Sequence, residues 1–183
     1  MGDDRLAMEK FLASIERRAF LMAKIATGDV DVSLDIVQDA MFVLVKKYRN
    51  KPEHQWKPLF FRILQNRIRD WYRRSNVRNR WRTWLNGKKS DEDRVEGNPL
   101  DNIADPSGEN PARVIMRGEV SKAIISALAK LPLRQHQTFM LRFWEGLSVS
   151  ETATAMRCSE GAVKTHSARA LKSLRISLED HWP

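Results

Sequence analysis

The sequence predicts an all-α protein: two small helical domains joined by an acidic linker, the second ending in a helix-turn-helix. Three observations carry this. Apolar residues recur at helical spacing with little period-two alternation, and glycine is sparse outside the breaks. The stretch 86–111 is rich in Asp, Glu, Asn, Gly and Pro and loses that periodicity. Residues 146–175, GLSVSETATAMRCSEGAVKTHSARALKSLR, hold two short helical patterns, each opened by a capping serine. The expected units are therefore a first domain over 1–85, a linker over 86–111 and a second domain over 112–183.

Phe11, Ile15, Ala19, Met22 and Ala26 form a stripe that predicts a first helix from Asp4 to about Ala26, ended at Thr27-Gly28-Asp29. A second helix is expected from near Ser33 to Tyr48, with Val37, Met41, Leu44 and Tyr48 on one face. Ile36, Ala40, Phe42, Val43 and Val45 make it apolar around more than one face, and Asp31, Asp35 and Asp39 occupy its first turns. Those carboxylates fit either a helix-dipole complement or a partner surface. Asn50-Lys51-Pro52 breaks the chain, and Pro58 is placed in the first turn of a third helix. That helix runs toward Arg74 and on to Trp84. Leu59, Ile63 and Leu64 are its core candidates. Arg62, Arg67, Arg69, Arg73, Arg74, Arg78, Arg80 and Arg82 interleave with Trp56, Phe60, Phe61, Trp71, Tyr72, Trp81 and Trp84. Arginines for phosphates beside aromatic faces for bases suit single-stranded nucleic acid.

The acidic linker, NGKKSDEDRVEGNPLDNIADPSGENP, should be repelled by DNA or mimic a strand. At no more than ~3.3–3.6 Å per residue, its roughly 26 residues reach about 85–95 Å at most. After it, Ala112 to Lys130 is helical, packing through Val114, Val120, Ile124, Ala127, Leu128 and Leu131. Pro132 closes that helix or opens the next, Leu133 to Trp144, with Phe139, Met140 and Phe143 inward and Arg142 reaching out. Glu145-Gly146 turns the chain. Ser148 and Glu151 have capping-box spacing, and Val149, Ala153 and Met156 share a face. Ser159 caps the last helix, whose inner stripe is Ala162, Val163, Ala170, Leu171 and Leu174. Its other face carries Lys164, Thr165, His166, Arg169, Lys172 and Arg175. A second helix that is basic outside makes a major-groove reader.

Composition narrows the partners. A net charge of +9 in 183 residues favours a polyanion, because cations that neutralise phosphates release condensed counterions. A membrane surface is polyanionic too, but no apolar run approaches the roughly 18–20 residues needed to span a bilayer, so membrane insertion is not expected. The acidic start MGDDRLAMEK does not read as a secretory signal, and Leu6 stands where myristoylation needs Ser or Thr. The single cysteine, Cys158, permits no intrachain disulfide and fits a reducing, cytoplasmic location. His54, His136, His166 and His181 are scattered, and no group has metal-ligand spacing. Asp91-Glu92-Asp93 reads as a solvated run, and Cys158, beside Arg157, as a small buried residue. No catalytic residue, metal, cofactor or small-molecule substrate is expected, so the chain does not read as an enzyme.

The chain resembles the extracytoplasmic-function (ECF) sigma factors of bacterial RNA polymerase over nearly everything from Phe11 to Arg175. LPLRQHQTFMLRFWEGLSVSETATAMRCSEGAVKTHSARALKSLR at 131–175 is similar to the family's region 4 pattern. DIVQDAM matches the acidic stretch that the family sets on the polymerase clamp, which implies core binding by Asp35, Gln38 and Asp39. WKPLFFRILQNRIRDWYRR looks like the segment that melts and reads the −10 element. The resemblance assigns that role to Trp56, Lys57, Arg62, Asn66, Arg69, Asp70, Arg73 and Arg74, with Trp56 or nearby aromatics stacking on bases. It also makes the helix-turn-helix the −35 reader. Lys164, Arg169, Lys172 and Arg142 then anchor phosphates, and Glu160, Ala162, Thr165 and His166 lie near base edges. Implied partners are core polymerase, promoter DNA (duplex at −35, single-stranded at −10) and an anti-sigma factor. Val43 and Val45 stand where the family often has a basic residue and a Trp. Ser167 and Ala168 stand where a Leu and a polar or basic residue are common. Details of clamp contact and promoter preference therefore do not carry over. The competing readings are a stand-alone helix-turn-helix regulator, which would need a dimer seam the chain does not show, a DNA-processing enzyme, and a protein that only docks on polymerase.

Overall fold

The computed structural model describes residues 2–86 and 111–179, with side chains described for 5–75 and 121–179. The helices are α1 (Gly2–Thr27), α2 (Val30–Tyr48), α3 (Glu53–Asn86), α4 (Pro111–Lys130), α5 (Leu133–Phe139), α6 (Val149–Met156) and α7 (Glu160–Ser177). No strand occurs among the described residues. The expected linker lies, apart from its end residues Asn86 and Pro111, outside the described residues, as do the side chains of Arg78, Arg80, Trp81, Arg82, Trp84, Val114 and Val120.

α1 buries Met8, Ile15, Ala19, Met22 and Ala23. It stops at Gly28, whose φ of +73° lets its N–H reach the Lys24 carbonyl at 2.8 Å. The next helix starts earlier than its apolar pattern suggests. Asp29 is its N-cap, accepting from the Val32 N–H at 3.0 Å, so α2 begins at Val30 rather than near Ser33. Ile36, Val37, Ala40 and Leu44 turn inward, while Leu34, Phe42 and Val45 stay exposed.

α3 also begins early, at Glu53 directly after Pro52. Pro58 therefore sits inside the helix rather than in its first turn. Its missing N–H frees the carbonyl of exposed His54, where water can satisfy it. Phe60 and Phe61 pack edge to face, with ring centroids 5.3 Å apart, and Leu64 and Ile68 continue the buried line. α1, α2 and α3 thus pack on one another.

Ala127, Leu128 and Leu131 of α4 join the same buried cluster, with Met140, Leu141, Leu147, Ala155, Met156, Ala170 and Leu174. The expected helix over 133–144 divides. After α5, Met140–Trp144 forms a wider π turn, closed by the Glu145 N–H on the Met140 carbonyl at 3.0 Å. That extra residue per turn rotates Phe143 outward, to 48% exposure, although its spacing predicts burial. Leu171, also expected inside, is exposed because Val163, Ala170 and Leu174 already fill the inner line of α7.

One buried apolar cluster runs through both halves of the chain. α3 lies along α6, and α1 meets α4.

Candidate nucleic-acid interface

The helix-turn-helix is fixed by local hydrogen bonds. Ser148 Oγ accepts from the Glu151 N–H at 3.1 Å, and the Glu151 carboxylate accepts from the Ser148 N–H at 2.7 Å. α6 ends at Arg157, a non-glycine residue in the left-handed region at φ +52°. The Cys158 N–H reaches back to the Ala153 carbonyl at 3.1 Å, and Arg134 donates to the Met156 carbonyl at 2.9 Å. Ser159 Oγ then accepts from the Ala162 N–H at 3.1 Å and starts α7.

The two bonds with Ser148 hold the Glu151 carboxyl below its ordinary range. A group lowered in the folded state stabilises above its unfolded value and loses that contribution as pH falls through the folded one. Glu151→Ala is therefore expected to cost about 1 kcal/mol near neutrality. In urea unfolding, the gap between variant and wild type should shrink once Glu151 is protonated; an equal gap at neutral and acid pH contradicts this reading.

Glu160, Lys164, Thr165, Arg169, Lys172 and Arg175 stand exposed on α7. Thr165 donates its hydroxyl proton to the Gly161 carbonyl at 3.0 Å, which leaves its oxygen lone pairs facing out. Ala162 and His166 are half-buried. Burial, Arg134 and Arg169 lower the His166 pKa and favour a neutral ring. Arg142 departs from expectation. It donates to the Leu147 carbonyl and braces the loop before α6 instead of reaching outward.

On α3, Arg62, Asn66, Arg69 and Arg73 recur at i, i+4, i+7 and i+11, with Asp70 and Arg74 beside them, so one face presents them all. Arg69 donates to Asn66 Oδ1 at 3.0 Å, and Arg74 to the Asp70 carbonyl at 3.3 Å. Arg73 and Arg74 are the exposed members. Trp56 is the exception: it is only 3% exposed, with its ring centroid 5.8 Å from that of Phe11, so no base can stack on it in this conformation. The signal that misled is its place next to a cationic run, where an aromatic core residue and a stacking platform look alike. Lys57 is likewise occupied, donating to the Glu145 carbonyl at 2.7 Å.

Asp35, Gln38 and Asp39 are exposed on α2 beside Leu34, Phe42 and Val45. Phe42, at 64% exposure, decides that the second apolar face of α2 is surface, not deep core. Arg67 Nε lies 3.8 Å from Asp39 Oδ2 across a cleft of about 540 Å³ lined also by Asp35, Trp71 and Arg74. Glu145 reads from the sequence as a turn residue within the region 4 pattern, yet its carboxylate is fully buried, facing Arg18 of α1 and Lys57 of α3.

Residues 121–174 match the family described as Sigma-70, region 4. The chain is 31% identical over 118 residues to the ECF RNA polymerase sigma factor BldN of Streptomyces coelicolor, covering 64% of this chain and 39% of that one. It is 31% identical over 117 residues to an RNA polymerase sigma-E factor of Streptomyces antibioticus, covering 64% of this chain and 61% of that one. It thus spans less than two thirds of these relatives. In fold it is similar to the sigma factor RpoE of Bartonella quintana, solved with the anti-sigma factor NepR. The TM-score is 0.65 at 20% identity, over 93% of this chain and 96% of that one. The capped helix-turn-helix thus lies within the residues that match Sigma-70, region 4.

Proposed function

We propose that this protein binds core RNA polymerase and directs promoter-specific transcription initiation. The observation that carries the reading is the exposed face of α7, where Lys164, Arg169, Lys172 and Arg175 surround Thr165 on a helix capped by Ser159 that follows the Ser148-capped α6. Cations at the rim anchor phosphates and set register, while short polar side chains at the helix start reach base edges of the −35 duplex. α3 offers the second surface. Arg62, Asn66, Arg69, Arg73 and Arg74 suit the −10 strand, which must be held unstacked at a cost of a few kcal/mol per extruded base. Asp35, Gln38 and Asp39 supply the polymerase contact.

The work is binding, with no covalent step assigned to the chain. It takes place in the cytoplasm with polymerase and promoter DNA as partners, and an anti-sigma factor is a further partner on this reading. No described helix is long and apolar enough to cross a membrane.

Phosphate anchors leave a salt signature. In the complex with core polymerase, K164A, R169A and K172A are each expected to weaken promoter binding on all sequences alike and to lower the log–log salt slope by about 1. T165A should change sequence preference with little effect on that slope. Fluorescence anisotropy against salt concentration separates the two classes. Slopes equal to wild type in all three lysine and arginine variants contradict a phosphate role.

A further inference from the structure

The turn between α6 and α7 is tied off by a side chain from outside it. A helix leaves its last carbonyls without intrahelical donors. At the end of α6 the turn itself supplies two. The Cys158 N–H reaches the Ala153 carbonyl at 3.1 Å, and the Arg157 N–H the Thr154 carbonyl at 3.4 Å. Among the described residues no turn N–H meets the Met156 carbonyl; Arg134 of α5 does, at 2.9 Å. Its guanidinium also opposes the negative end of the α6 dipole. Thr138, one turn along α5, joins the same two residues: it donates to the Arg134 carbonyl at 2.8 Å, and its hydroxyl lies 3.3 Å from Met156 Sδ. The support has a purpose, because Arg157 turns the chain at φ +52°, where any residue with a Cβ is strained.

The same arginine acts on the recognition surface. α5 packs on α7 as well as on α6, and Arg134 lies close enough to His166 to lower its pKa. The charged groups that bear on this ring are Arg134 from α5 and Arg169 from α7 itself. α4 and α6, which also pack on α7, bring none among the described residues. Burial first, then the two arginines, hold His166 below its ordinary range. A neutral imidazole offers one donor and one acceptor, whereas the cation offers two donors and no acceptor. Its charge state therefore decides which base edge it can match.

We propose that Arg134 is a positioning residue of the −35 reader, a strut from α5 that fixes the exit of α6 and sets how His166 on α7 meets a base edge. The role rests on the sigma-factor reading and adds to it a determinant of promoter preference. Arg134 acts through the turn and through His166, without contacting DNA.

The test uses the full chain with R134Q, which removes the charge, and R134K, which keeps a charged donor. In the free protein the His166 ring is followed by NMR against pH. The wild-type ring is expected to titrate below 6.5, R134Q to raise that value and R134K to restore it. With core polymerase bound, anisotropy over a set of −35 sequences reads base preference and salt slope. R134Q is expected to keep the wild-type slope and to change its preference at one base pair by about fivefold or more between about pH 7.5 and 6. R134K should hold one preference over that range, and R134Q/H166A should lose the pH dependence. A wild-type ring that titrates at 6.5 or above overturns the proposal whether or not R134Q folds. So does a ring pKa that R134Q leaves unchanged, or a raised pKa with wild-type preference throughout. A salt slope lowered by about 1 in R134Q makes Arg134 a phosphate contact and overturns the proposal equally. A wild-type complex that binds no promoter removes the sigma-factor reading, while the ring titration in the free chain still shows whether Arg134 acts on His166.

Discussion

Reversing the two aspartates together, in D35K/D39K, is expected to lower affinity for core polymerase by at least about 100-fold while the protein stays folded. Coupling energies of roughly 1.5–7 kcal/mol for close charge pairs across protein interfaces make that a modest figure for two reversals. The start of α2 at Val30 is what separates a functional role from a structural one. A helix dipole acts within the first turn, and Asp31 occupies it. Asp35 and Asp39 lie one and two turns further on, exposed, where they do little for the dipole. The Arg67–Asp39 pair is also largely solvated, with side chains 39% and 64% exposed, so breaking it costs little stability. Anisotropy with labelled protein and a thermal melt decide the matter. Unchanged polymerase affinity removes these residues from the interface. A collapsed melting temperature makes them elements of the fold.

The second large effect is a loss of stability in mild acid through His136. This residue is 3% exposed, neither ring nitrogen has a hydrogen-bond partner, and burial lowers its pKa from 6.5 to about 4. The unfolded chain takes up a proton near 6.5 that the folded chain refuses until about 4, so stability is full above the upper value and drains away between the two. The gap corresponds to roughly 3 kcal/mol by the lower limit. Glu145 acts in the opposite sense. Its raised pKa means that protonation on acidification relieves a burial penalty, so the His136 slope is best isolated by substitution. H136L, which carries no polar ring atoms, is expected to remove most of the pH dependence between 6.5 and 4 in urea unfolding. An identical slope in H136L assigns the acid sensitivity elsewhere.

How much of this was legible depends on the range of the interactions. The helix-turn-helix was fully readable, because Ser148, Glu151 and Ser159 act within three residues of themselves and their spacing encodes the geometry. The stripes of α1 and α3 were readable for the same reason. Helix starts were less so. Asp29 and Pro52 open α2 and α3 before the apolar pattern begins, and an aspartate after Gly28 reads equally well as the end of one helix or the cap of the next. The π turn leaves no trace in spacing, so periodicity alone places Phe143 in the core. Contacts between distant segments were invisible. Trp56 is buried against Phe11, and Glu145 is neutralised by Arg18 and Lys57, pairings that exist only once the chain is folded.

The central claim is that this chain confers promoter specificity on polymerase. Run-off transcription with purified core polymerase, over a pool of promoter-bearing genomic fragments, tests it most directly. The expected result is a set of defined start sites absent with core polymerase alone and lost when the exposed Arg73 and Arg169 are replaced together by alanine. Tight DNA binding in the absence of polymerase, with no association with it and no new start sites, would contradict the account and identify a stand-alone regulator.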